Sequence, residues 1–389
     1  MYRGLTILVT LAVAASACAG AGGGADREAA GRPVGLGQAT ASPREKVPSA
    51  LDDPRAPGLP RPLVNVDRLI SGGPPPDGIP AIDRPRFVRA GQAGWLADRE
   101  PVLAFNLGSE RRAYPVQILV WHEVVNDTVG GVPVAVTYCP LCNSALAFDR
   151  RAAGRVLDFG VSGLLYNSDL VMFDRQTQSL WPQIEGRAVA GTLTGTRLRG
   201  YPVAMVPWKE WRAANPNGWV LSRDTGHERE YGSNPYVSYD EPTEAPFLFD
   251  GEPDRRLPPK THVVGLRSGD EATAITLDRL VDARVLEIEL AGRPVVVFAR
   301  PGLASALDAW EVADGRELGA TGAFDPSVNG RRLHFRADGQ HVTDRETGSR
   351  WNLFGEAVSG PMKGARLTRS PTWTRSGSPG WRSPPTRRS

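Results

Sequence analysis

The feature that most constrains this chain is a pattern that occurs twice. Gly131-x-Pro133-Val-x-Val136 returns as Gly292-x-Pro294-Val-x-Val297, and Ser144-Ala145-Leu146 returns as Ser305-Ala306-Leu307, both displaced by 161 residues. Ala113 and Ala274 keep the same displacement. Further along, Asp174-Arg-x-Thr-x-Ser-x-Trp181 returns as Asp344-Arg-x-Thr-x-Ser-x-Trp351, and Ala188, Gly191, Gly195 and Leu198 return as Ala357, Gly360, Gly364 and Leu367. Matches kept in register predict a duplication, and so a body of two lobes. Between the repeats the text alternates apolar and polar residues in short runs such as PVLAFNL, VPVAVTY and ALAFDR, bounded by Gly, Asn and Asp. Such runs read as strands and hairpins, with one short helical turn from Gln117 to Trp121. The 43 Gly and 34 Pro spread over 389 residues leave little room for long helices. The expected fold class is mainly β, α+β at most: two duplicated lobes of short antiparallel strands with a few short helices.

The first residues carry Arg3 and an apolar segment from Leu5 to Ala15, too short to span a membrane and of the form of a signal peptide. Ala15-Ser16-Ala17-Cys18 then reads as a lipoprotein cleavage box with Cys18 as the lipidated residue. The expected location is therefore the outer face of a bacterial membrane, periplasmic or cell-surface, reached through an N-terminal lipid. No protein partner is named by the sequence. Residues 19–62 are rich in Ala, Gly, Pro, Ser and charge without periodicity, and are expected to form a disordered tether after a signal peptide over 1–18. Lobe one is assigned to 63–241, lobe two to 242–367, and an irregular basic tail to 368–389. The net charge of +3 includes six arginines between Arg366 and Arg388, without which the body is about −3, so no nucleic-acid partner is expected.

Comparing the lobes separates scaffold from chemistry. Cys139 stands opposite Arg300, Cys142 opposite Leu303, His122 opposite Ala283 and Glu123 opposite Arg284, so four reactive side chains occur in lobe one alone. The stretch from Phe159 to Asp174 is also six residues longer than that from Phe335 to Asp344, and the excess falls at Tyr166-Asn167-Ser168-Asp169, a polar-tipped ligand loop. The Asp-Arg-x-Thr-x-Ser-x-Trp motif, present in both lobes, is expected to be a structural turn with a buried indole. Asp77 and Asp83, in the Gly- and Pro-rich stretch Ser71–Asp83, are expected to cap turns.

Cys139-Pro140-Leu141-Cys142 admits three readings. As a metal knuckle, the turn aims both sulfurs at one point, Asn143 takes the left-handed conformation, and His122, Glu123 or an aspartate completes a zinc or copper site. As a dithiol, the pair exchanges electrons in an oxidising compartment, making a thiol-disulfide oxidoreductase. As a disulfide, it closes a turn in a lipoprotein that binds a small ligand at the Tyr166–Asp169 loop. His227, His262, His334 and His341 carry no motif. No catalytic triad, phosphate loop or haem-attachment Cys-x-x-Cys-His is present, Asn143 standing where that histidine would be, and the sequence leaves open whether the protein is an enzyme.

The stretches GGPPPDGIPAIDRPRF, AYPVQILVWHEVVND, VTYCPLCNSALAFDR, LDFGVSGLLYNSDLVMFDRQTQSLWPQ and TGSRWNLFGEAVSGPMKGARL resemble the bacterial domain of unknown function 3179 family, from about Leu69 to Leu367. The resemblance implies one domain unit and an exported location, and implies no activity. There is one departure. Proteins similar to this one end in an aromatic, apolar segment echoing Trp208 and Trp211, whereas Arg369 to Ser389 is Ser, Pro and Arg with isolated Trp, from which no core strand is expected.

Overall fold

Two glycines set the first turn of the central hairpin. Gly130 and Gly131 both lie at positive φ, 57° and 76°, as a two-residue turn between right-twisted strands demands, and they join Val124–Val129 to Val132–Cys139. Ser144–Asp149 pairs with the far side of Val132–Cys139, and Gly200–Tyr201 adds a fourth strand. In this computed structural model, residues 31–252, 255–268, 271–339 and 341–370 and the backbone of 372–376 are described.

The C-terminal half holds a sheet of the same order, from Val285–Leu290 through Arg293–Ala304 and Glu317–Asp325 to Thr368–Arg369. A seven-residue helix precedes each sheet, Val116–His122 in one half and Leu277–Ala283 in the other, and the residue that ends it, Glu123 or Arg284, lies at φ 59° or 60°. A second pair of sheets corresponds in three strands, while the fourth lies at opposite edges, Leu69–Ser71 beside Phe159–Tyr166 but Ala357–Ser359 beside Arg350–Trp351. Leu69–Ser71, Phe159–Tyr166, Asp169–Asp174 and Leu180–Pro182 form one; Phe335–Asp338, His341–Asp344, Arg350–Trp351 and Ala357–Ser359 form the other. The protein is mainly β with small sheets; among the described residues their strands pair antiparallel except Trp219–Leu221, which runs parallel to Glu110–Pro115.

The repeated Asp-Arg-x-Thr-x-Ser-x-Trp motif closes the same turn in both halves. Asp174 accepts hydrogen bonds from the Thr177 backbone (2.6 Å), the Ser179 backbone (3.2 Å) and the Trp181 indole (3.0 Å). Asp344 accepts the matching three from Thr347 (2.6 Å), Ser349 (3.1 Å) and Trp351 (2.9 Å). Both indoles are fully buried. In the N-terminal half Arg175 of this motif also pairs with Asp77 and Asp83, so these aspartates anchor the Gly- and Pro-rich loop by ion pairs.

The halves share a core. The largest cluster of buried apolar residues contains Phe105, Tyr138, Val206 and Trp208 together with Val296, Phe298, Phe335 and Trp351. Each such aromatic or branched side chain contributes about 1.5–3 kcal/mol when removed from water.

The structure differs from the sequence reading at both ends. From Arg32 on, the stretch expected to be a loose tether is laid on the body. Val34–Gly35 pairs with Arg86–Phe87, the Ala39 backbone donates to Thr128 Oγ1 at 2.7 Å, and Glu45 pairs with Arg155. Polar and backbone groups make these attachments and a few scattered apolar side chains, Ala50, Leu51 and Leu59, add to them, which is why a composition without periodicity did not betray them. Residues 1–30, with the signal peptide and Cys18, lie outside the described residues. At the other end Thr372–Ser376 pairs with His262–Ser268, just as Ala204–Pro207 pairs with Pro101–Leu107. A backbone ladder asks only for donors and acceptors, so its polar composition is no obstacle. Among the described residues no helix is long and apolar enough to cross a membrane.

Candidate metal centre

Cys139 ends its strand and pairs with Ser144, leaving Pro140–Asn143 to turn the chain. The Asn143 backbone closes that turn by donating to the Pro140 carbonyl at 3.0 Å. Asn143 itself lies at φ 45°, the left-handed conformation expected of it. The two sulfurs are thereby delivered to the same side.

The stretch read as a polar-tipped loop is a tight hairpin. Tyr166 pairs with Asp169, and Asn167 and Ser168 between them lie at φ 52° and 64°. Two consecutive positive φ values are the mark of a two-residue hairpin turn, here made of Asn-Ser in place of the more familiar Asn-Gly. Its position is further set by Gly163, where a Cβ would overlap the Pro74 carbonyl oxygen, so the Gly- and Pro-rich loop packs directly on it. Asp169 thus opens a strand with its side chain buried.

The two hairpins meet. Cys139 Sγ, Cys142 Sγ and a carboxylate oxygen of Asp169 lie within 4.8 Å of one another. Cys142 Sγ donates to the Ser168 carbonyl (3.3 Å) and to Asp169 Oδ1 (3.5 Å), while Asp169 Oδ2 accepts from the Ile184 backbone (3.0 Å). Gln183 clasps the hairpins together: its carbonyl accepts from Ser144 Oγ at 2.8 Å and its amide donates to Thr137 Oγ1 at 2.9 Å. Both cysteines are thiols and no disulfide joins them. Cys139 is 1% exposed and Cys142 0%.

Glu123 stands next to this group. Burial, and after it the nearby charge of Asp169, pushes its carboxyl up to about 8. Tyrosines line the remaining side, and burial raises the phenols of Tyr138 and Tyr236 well above their ordinary range. Burial also takes Tyr239 up to about 12, and its hydroxyl accepts from the Phe247 backbone at 3.0 Å.

His122 is not brought into the group. Its Nδ1 donates to the Pro80 carbonyl at 2.7 Å, so Nε2 is the acceptor of a hydrogen bond from the Tyr231 hydroxyl at 2.6 Å. Burial lowers this imidazole to about 4, holding it neutral. A histidine at the end of a helix next to a glutamate resembles a ligand in sequence, but the left-handed step at Glu123 sends the two side chains apart. Of the loop residues, Asp169 faces the thiols, Ser168 donates to the Phe247 carbonyl at 2.6 Å, Asn167 accepts from Arg68, and Tyr166 lies beside the Arg68 guanidinium. Sequence reasoning passed over His262, Tyr236, Tyr239 and Gln183. Only Asn167-Ser168 offered a usable signal, as a short polar pair between two alternating runs.

A family model described as "Protein of unknown function (DUF3179)" matches residues 76–375. The chain belongs to this family. The DUF3179 match takes in both hairpins of the thiol and carboxylate group and extends into the edge strand Thr372–Ser376. No curated protein and no solved structure matches the chain.

Proposed function

We propose that this protein is an exported, lipid-anchored lipoprotein that binds a divalent transition metal ion through Cys139, Cys142 and Asp169. The observation that carries the reading is the convergence of two sulfurs and a carboxylate oxygen within 4.8 Å in a buried place. Deprotonated, these three groups hold three negative charges away from water, an arrangement that a bound dication offsets. A mixed sulfur and oxygen donor set suits zinc better than copper(I), which prefers sulfur alone. Glu123, buried and close enough to feel the charge of Asp169, is the candidate fourth ligand. The export and the lipid on Cys18 rest on the N-terminal sequence pattern.

Burial also weighs against the dithiol reading. Exchange needs a partner sulfur to approach in line with the attacked one, and thiols exposed by 1% or less offer no such approach.

The test is to purify the protein from the exported compartment and measure bound zinc, bound copper and reducible disulfide. Wild type and His122→Ala are expected to carry stoichiometric zinc, whereas Cys139→Ser and Asp169→Asn lose it. Metal retained in Cys139→Ser refutes the reading. A metal-free wild type with a reversibly reducible disulfide replaces it with the oxidoreductase.

A further inference from the structure

The strand His262–Ser268 belongs to the C-terminal half, yet its first side chain reaches the thiol turn of the N-terminal half. His262 is 8% exposed, and its Nε2 lies 3.0 Å from Asn143 Nδ2. The other end of the same amide, Asn143 Oδ1, accepts from the Tyr138 hydroxyl at 2.9 Å. An amide N–H can only donate, so His262 Nε2 is the acceptor and the neutral ring carries its proton on Nδ1. Burial, with the charge of Arg316 behind it, lowers this imidazole to about 4, so it keeps that acceptor at neutral pH.

Asn143 is the residue on which the turn depends. It follows Cys142 directly, occupies a backbone region that costs most side chains energy, and is tied at both ends of its amide. With the amide held, the direction of Cys142 Sγ toward Asp169 and the Ser168 carbonyl is held too. With the amide released, the turn keeps the bond from Asn143 to Pro140 and the strand pairing on either side, but the side chain next to Cys142 no longer fixes its direction.

We propose that His262 is a positioning residue for the thiol and carboxylate site, acting across the two halves by accepting from Asn143 and so fixing the turn that aims Cys142 at Asp169. The affinity readout below rests on the metal-binding reading; the thiol readout does not.

The experiment compares wild type, His262→Ala, His262→Gln and Asn143→Gly in the full exported protein. Two quantities are read: zinc affinity, by competition with a chelating indicator, and the rate at which a small alkylating reagent labels the two thiols in metal-free native protein. Loss of an outer partner of a metal ligand weakens binding about 10–100-fold, and His262→Ala is expected in that range with faster labelling. His262→Gln presents an amide oxygen to the same donor and is expected within about threefold of wild type. Asn143→Gly keeps the left-handed turn at no steric cost while removing the amide, so it matches His262→Ala even where the latter folds poorly. Combining the two substitutions adds nothing further, as for members of one chain of bonds. Wild-type affinity and labelling in His262→Ala overturns the proposal, and so does equal damage from Ala and Gln, which would reduce the imidazole to a filler. Absence of zinc binding in wild type defeats the metal reading, and the labelling rates then decide the role of His262 alone.

Discussion

The thiol hairpin and its counterpart in the C-terminal half are built on corresponding strands and part company at one point. In the N-terminal half the chain leaves Val132–Cys139 through a four-residue turn and returns at Ser144. In the C-terminal half the strand runs on from Arg293 to Ala304 through a bulge between Pro301 and Leu303, and its partner arrives only at Glu317. Cys139 is answered by Arg300, which pairs with Glu210 at 3.3 Å, and Cys142 by the buried Leu303. Gln183, the clasp of one half, is answered by the buried Leu353 in the other. The difference teaches that the order of the thiol-bearing sheet and the aspartate-closed turn are common to both halves, while a tight turn, a hairpin and one glutamine set the candidate site apart.

The largest expected effect tests the scaffold side of that statement. Asp174→Ala and Asp344→Ala each strand several buried donors, and each is expected to cost about 3–5 kcal/mol in denaturant unfolding. A large loss at one site only would break the equivalence of the halves.

Next comes pH. The folded imidazole of His262 titrates at about 4 and an unfolded one near 6.5, so the unfolded chain binds the extra proton first as pH falls. Stability from keeping this ring neutral is complete above pH ~6.5 and is lost down to pH ~4, up to about 3 kcal/mol. Unfolding of wild type and His262→Gln across that window should show wild type losing ground by this amount, and parallel curves would contradict it.

Gln183→Leu makes the N-terminal half resemble the other at one position. It removes the acceptor of the buried Ser144 hydroxyl and the donor to Thr137, whose hydroxyl keeps the Leu146 carbonyl, for an expected loss of about 2 kcal/mol, and loosens the hairpins enough to weaken zinc about tenfold. Unfolding and zinc titration of the same sample check both numbers. Arg300→Ala removes a partly exposed ion pair and is expected to cost under about 1 kcal/mol in the same unfolding measurement, with no effect on metal.

Much of the fold was legible because strand periodicity and turn chemistry are local. The hairpin at Gly130-Gly131, the left-handed Asn143 and the turn closed by Asp174 all follow from a few adjacent residues. The site was legible only in part. Subtracting one half from the other brought out both cysteines and the hairpin that carries Asp169, yet it also promoted His122, whose ring is spent on Pro80 and Tyr231. What stayed hidden depends on distance. His262 lies 119 residues from the amide it meets, and Tyr236 and Tyr239 come from the connection between the halves, which has no counterpart to subtract. The attachment of residues 32–62 was hidden for another reason, since its apolar contacts, Ala50, Leu51 and Leu59, are too sparse to show a period and polar contacts leave no mark on composition.

The shared core has a consequence for how such a protein is inherited. A gene fragment ending near Glu241 would encode every proposed ligand and still lack Val296, Phe298, Phe335 and Trp351, which belong to one buried cluster with Phe105, Val206 and Trp208. The cysteine-free half is therefore not dispensable. Residues from Arg32 on form one compact unit, and a fragment carrying the thiols alone would leave that unit incomplete.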